Sequence, residues 1–295
     1  MRYFFTLLII NLFISCNFNE PKTTAAKLLV TNDTIPDPEK LSKLKLARAG
    51  DYRQVLEKLD QGELKSLDIS GRLLKNCVAD TATYDSMLVI FNDFINNLTA
   101  DYLENCEFVN DQLTHSPSPE TIAGIKNRLV SYGILLRSSE GAFYLEPENK
   151  FLLQNFGSGL SQAYRDFLTI SSTEQQNRFA EDGTLLIPVD SLASRILAWE
   201  NFMTRYPDFI SIKLAQEKYT TYLGVFLSGM ENSKIFSPET NRLNDSSISS
   251  FETFVRDNPG TKSTEVISAY LDLLKSTNFN YTEKVDSFLL EKVYH

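Results

Sequence analysis

The chain is predicted to be mainly α-helical, a set of stacked antiparallel helical hairpins that repeat loosely, with one small β-hairpin near residues 134–146. Three observations predict this. Past residue 40, apolar residues recur three and four apart, the spacing of helices with one buried stripe. Between the stripes sit Gly and Pro, the residues that stop helices. Finally, Trp199-Glu200-Asn201-Phe202 followed by Tyr206-Pro207 returns 52 residues later as Phe251-Glu252-Thr253-Phe254 followed by Asn258-Pro259.

Composition sets the outer limits. With 295 residues, 42% hydrophobic, 23% charged and only 12 Gly and 10 Pro, the chain can bury one large core or two modest ones. Disorder, collagen-like repetition and a disulfide-dense scaffold are excluded. Its 29 Lys and Arg against 38 Asp and Glu leave a charge of −9. Phosphate repels such a surface, and no long run of Lys or Arg offers a local exception, so nucleic acid is not an expected partner.

The N-terminus carries the most specific motif. Met1-Arg2 is a short positive start, and Tyr3 to Ile14 is apolar apart from Thr6 and Asn11. Such a run is too short to span a bilayer, which takes about 20 apolar residues, but suits the apolar region of a signal peptide. It ends in Leu12-Phe13-Ile14-Ser15-Cys16, which resembles the lipobox of bacterial lipoproteins. The resemblance implies cleavage before Cys16, with diacylglycerol on its thiol and acylation of its new amine. Phe13 departs from the Leu usual three residues before the cysteine. Asn17, rather than Asp, after the cysteine implies the outer membrane. Residues 1–15 are then the signal peptide and 16–38 a polar tether with Pro21, Pro36 and Pro38. About 20 flexible residues would span roughly 25 Å.

Residues 39–115 read as an N-terminal helical lobe. Leu41, Leu44 and Ala47 suggest a first helix ended by Gly50; Tyr52, Val55, Leu56 and Leu59 a second, ended near Gly62. Leu64 to Cys77 suggests a third, bent at Gly71, and Tyr84 to Cys106 a fourth of some six turns. The stretch Thr114 to Pro119 breaks the pattern and marks a boundary. In 118–189, Ser118-Pro119-Glu120 reads as a helix cap, a Pro at the first helical position and an acidic first turn. That helix runs to Tyr132-Gly133. Ile134 to Arg137, a turn at 138–141 and Ala142 to Glu146 then form the one convincing hairpin. Helices follow around 151–156 and 160–170, with a turn at Asp182-Gly183 and an apolar connector over 185–189.

Residues 190–295 form the stack. Each copy of the repeat is a helix, a Pro turn and a second helix (210–227 and 264–274), with 230–245 as a polar connection and Tyr281 to Val293 as a cap. This arrangement resembles tetratricopeptide-like repeats, in which an aromatic-rich helix ends in Tyr-Pro and a small residue recurs on the next helix. Tyr206-Pro207 with Ala215 fits, and Asn258-Pro259 with Ala269 fits less well. The period of 52 departs from the usual length of about 34, and no third copy is clear. The resemblance implies stacked α-hairpins and nothing about a ligand.

Chemistry is mostly absent. No nucleotide-binding, zinc-protease, C-x-x-C or G-x-S-x-G motif occurs, so no catalytic, cofactor or metal site is expected. The two histidines, His115 beside prolines and the terminal His295, suit no triad. Beyond Cys16, Cys77 and Cys106 read equally as a bridge and as two buried thiols. Tyr219 and Tyr222, three apart on one helix, read as core or as a groove for peptide or glycan. Glu146 and Glu148 are the carboxylate pair nearest to a glycosidase arrangement, with a solvated strand end as the plainer reading. The helix at 119–132 with its hairpin, and Lys126, Arg128 and Arg137, mimics a DNA-binding wing, but the chain's acidity opposes it. The expected protein is therefore a lipid-anchored, periplasm-facing binding or adaptor module for another envelope protein. A glycan- or peptide-binding lipoprotein is the alternative, and a carboxylate-dependent cell-wall or glycan hydrolase the second.

Overall fold

The computed structural model describes residues 41, 43–60, 62–105, 113, 118–139 and 141–294. Among them are eleven helices and three two-stranded antiparallel hairpins, so the mainly helical fold stands.

The N-terminal part differs first. No helix runs to Gly50. Residues 44–48 form no helix, the extended Arg48 (φ −133°, ψ 139°) precedes α1 (Ala49–Leu56), and Gly50 lies inside that helix. The apolar Leu44 and Leu46 alternate with exposed Lys43, Lys45 and Ala47, a strand-like period that short spacing can mimic as helical. Leu46 O accepts the Val78 N–H at 2.9 Å, so this segment pairs with the chain after α2 (Leu64–Lys75). Gly71 does not bend α2, which is continuous; it faces the Phe91 and Phe156 rings. The Tyr52 hydroxyl donates to Ser70 O at 3.0 Å and ties α1 to α2. Both helices pack on the long α3 (Thr81–Asn105) through Leu73, Leu74, Met87, Leu88 and Phe91, all essentially buried.

α4 (Pro119–Val130) starts as its sequence predicts: the Ser118 Oγ accepts the Thr121 N–H at 3.2 Å, with Pro119 at the first helical position. β1 (Ile134–Ser139) and β2 (Ala142–Pro147) pair from Ile134↔Pro147 to Ser139↔Ala142. β1 lies against α4 and β2 against α3, so the hairpin buttresses the lobe. α5 (Asn149–Phe156) and α6 (Gln162–Gln176) pack together behind it. Asp85 Oδ1, on α3, accepts the Ser161 N–H at 2.9 Å, just before α6. Beside it, a Cβ on Gly159 would lie 2.7 Å from the Tyr84 ring, so only glycine permits that approach.

Two more hairpins exist besides the predicted one. β3 (Ala180–Glu181) and β4 (Thr184–Leu185) flank Asp182 and Gly183, both at positive φ (45° and 66°), as in the tight turns of two-residue hairpins. β5 (Gly229–Met230) and β6 (Ser233–Lys234) form the other. They meet turn to turn, the Asn232 N–H donating to Gly183 O at 2.8 Å. Two-residue strands are too short to leave a period in sequence, which is why only the Asp182-Gly183 turn was legible.

The stack consists of α7 (Val189–Arg205), α8 (Ile212–Ser228), α9 (Asp245–Asp257), α10 (Lys262–Ser276) and α11 (Glu283–Lys292). α7 ends at Arg205, with Tyr206 as its cap immediately before Pro207, as the proline requires. The first helices of the two hairpins correspond at offset 52: Trp199 with Phe251 and Phe202 with Phe254 are buried in both. The second helices correspond at 48 instead. Ala215 pairs with Ser263, Tyr222 with Tyr270 and Leu223 with Leu271, all buried. Ala269 is exposed, so Ser263 and not Ala269 is the recurring small residue. The difference of four residues is about one helical turn, which lengthens the tip of the first hairpin. Residues 235–244 are more than a polar connection: Phe236 bridges Leu243, Arg242 bridges Asn280, and the Leu243 N–H donates to Phe279 O at 2.8 Å. The buried apolar residues form one cluster reaching from Leu41 to Val293.

Candidate functional site

The densest polar arrangement lies where α6, α7 and α8 meet. Glu174, 7% exposed, ends the buried stripe Tyr164–Phe167–Ser171 of α6. Its Oε1 accepts the Trp199 Nε1–H at 2.7 Å, and its Oε2 accepts the Tyr222 hydroxyl at 2.8 Å. Lys218 Nζ stands 4.0 Å from Oε2. Arg195 donates to the Tyr222 oxygen at 3.3 Å, and its guanidinium lies 5.4 Å from that ring. Burial pushes the Tyr222 phenol well above its ordinary range, and the charge of Glu174 and the bond to it push further. A buried carboxylate needs its oxygens bonded, and a nearby cation lowers the cost further; both conditions hold here.

A second acid, Glu200 on α7, is also 7% exposed. Its oxygens accept the backbone N–H groups of Lys262 (2.6 Å) and Ser263 (3.1 Å), and the Ser263 hydroxyl. A carboxylate from the first hairpin thus caps the N-terminus of α10 in the second, where the helix dipole favours negative charge. The Tyr219 and Ser263 hydroxyls lie 3.1 Å apart and join the same junction. Burial raises the Tyr219 phenol; its bond to Ser263 opposes that.

The two predicted groove tyrosines therefore part company. Tyr222 is 1% exposed and belongs to the α6–α7–α8 junction, not to a groove; Tyr219 is half-buried at the junction of the two hairpins. Both are held by hydroxyl bonds, which the spacing of two residues on one helix does not reveal. Glu146 accepts the Arg137 Nε–H at 2.6 Å, and Glu148 precedes α5. Arg137 also donates to Gln175 O at 2.9 Å, which turns the cation of the mimicked DNA-binding wing inward. Cys77 carries a free thiol that donates to Leu73 O at 3.2 Å, and burial pushes it up to about 11. Cys16, Cys106, His115 and His295 lie outside the described residues. Among the described residues, no group of three or more His, Cys, Asp or Glu is placed to hold a metal, and no helix is long and apolar enough to cross a membrane.

Sequence reasoning missed Glu174 and Glu200. The available signal was an acid on an apolar stripe: Glu174 follows Phe167 and Ser171, and Glu200 follows Ile196 by four. Chemically, both carboxylates act as hydrogen-bond acceptors that join neighbouring helices. The fold and these junctions define a mainly α-helical protein of stacked antiparallel hairpins. No protein-family model, no curated protein and no solved structure matches the chain.

Proposed function

We propose that the protein is anchored through a lipid on Cys16 and that its helical stack is a non-catalytic docking module for another envelope protein. Support for the anchor comes from the lipobox-like Leu12 to Cys16 segment. The observation that carries the docking role is the lengthened tip of the first hairpin. There Ile210 is 44% and Leu214 45% exposed, four residues apart, beside exposed Lys213. Stacked hairpins ordinarily bind through such exposed edges and concave faces. The tip is held to α6, with Phe209 packed on Tyr164 and Phe167 and the Tyr206 hydroxyl donating to Asp166 at 2.6 Å.

The test is crosslinking in cells, detergent extraction, recovery of the tagged chain and mass spectrometry. The wild-type chain is expected to bring down one dominant envelope protein, and the double variant Ile210→Asp/Leu214→Asp to lose it while remaining folded. Recovery of the bait alone from both would sink the docking role. So would turnover of a cell-wall or glycan substrate that one carboxylate substitution abolishes. Anchoring is read separately, from the mass of the peptide that begins at Cys16.

A further inference from the structure

Charge is unevenly distributed along this acidic chain. Residues 41–80 carry eight Lys and Arg against six Asp and Glu, whereas residues 81–295 carry 17 against 28. Within the positive part, Lys43, Lys45 and Arg48 occur with no acid between Lys40 and Gly50. All three are exposed, and among the described residues none is in an ion pair. Around the buried Leu46, Lys43, Lys45, Ala47 and Arg48 are all exposed. The Leu46 O to Val78 N–H bond holds Val78 alongside them. Val78 is 64% exposed, the most exposed large apolar side chain among the described residues.

From this juxtaposition we infer that the Lys43–Arg48 segment and Val78 form a docking face for an anionic phospholipid surface. Long Lys and Arg stems lie along the interface with their charges at the phosphates, while an apolar side chain enters the headgroup layer. Charge complementarity selects the occupant: the remaining net-negative chain is repelled by the same phosphates, so this is the end of the molecule that can face them. It is also the described part nearest in sequence to Cys16, and in this respect the inference rests on the anchored reading. With the lipid on Cys16 holding the chain at the membrane, a basic face would orient the described part against the headgroups.

The experiment is amine-reactive footprinting of the full chain on vesicles of phosphatidylcholine alone and of phosphatidylcholine with phosphatidylglycerol. On anionic vesicles Lys43 and Lys45 should lose at least threefold in reactivity, with Lys213 and Lys275 unchanged. Each cation near an anionic surface is worth a factor of about five. Lys45→Gln/Arg48→Gln should therefore weaken docking about 25-fold and return Lys43 to its free reactivity. Salt at 1 M, where screening acts within about 3 Å, should do the same. Equal reactivity on both vesicle types would overturn the inference. Protection seen only in cells would also overturn it, in favour of an acidic macromolecule. The mass of the Cys16 peptide tells apart a failed anchor from a failed docking face.

Discussion

The two hairpins of the stack share one sequence pattern and treat it differently. Glu200 and Glu252 occupy the same place, one residue after a buried aromatic. Glu200 is buried, because a following hairpin offers it the open N-terminus of α10. Glu252 is exposed, and among the described residues no helix N-terminus meets it. The corresponding tyrosines diverge likewise: Tyr222 donates to the carboxylate of Glu174, and Tyr270 to the carbonyl of Leu227 at 2.9 Å. A repeat residue acquires its role from the neighbour it meets. In the second hairpin the same acid stays in water.

The sharpest way to break this comparison is the pair Glu200→Ala and Glu252→Ala. The first leaves buried donors at the start of α10 without acceptors and should cost about 3 kcal/mol in urea unfolding. The second should leave the midpoint unchanged. Equal losses would show that the corresponding positions are not distinguished by their neighbours. Next come the tyrosines. Tyr222→Phe removes one of two donors from a buried carboxylate and should cost about 2 kcal/mol; Tyr270→Phe, which frees only a carbonyl, should cost about 1 kcal/mol. Trp199, the sole tryptophan, shares Glu174 with Tyr222, so its fluorescence should shift in the first variant and not in the second.

A smaller effect concerns Asp85, the acid that joins α3 to the start of α6. Burial raises its carboxyl above the ordinary carboxylate range, while the bond from Ser161 and the charge of Arg165 pull it down. The folded chain therefore holds this proton to higher pH than the unfolded chain does. Stability from this group is present in acid and is lost as pH rises through the folded value. Asp85→Asn keeps an oxygen to accept the Ser161 N–H and should raise the midpoint slightly at pH 7, by less than about 1 kcal/mol, with no gain in acid. A lower midpoint at pH 7 would mean that the charge itself supports the junction. Smallest of all, Ile210→Ser/Leu214→Ser should change stability by less than about 0.5 kcal/mol, because both side chains are exposed at the tip. A larger loss in thermal unfolding would make the tip part of the core.

Much of this was readable in the chain alone, and the reason is locality. A helix cap such as Ser118-Pro119, a stop such as Tyr206-Pro207, a turn such as Asp182-Gly183 and a six-turn apolar stripe such as 84–105 are decided by neighbours within a few residues. So is the charge balance that argues against nucleic acid. Short alternations were less legible: Leu44 and Leu46 fit a helical or an extended period until the pairing of Leu46 with Val78 decides. What the tertiary structure alone decided is the fate of the polar residues. Whether Glu174 is a surface charge or the shared acceptor of Trp199 and Tyr222, and whether Glu200 meets water or the N-terminus of a helix 62 residues on, depends on which helices come together. The free energy of a buried charge is set by partners distant in sequence, and no local pattern records them.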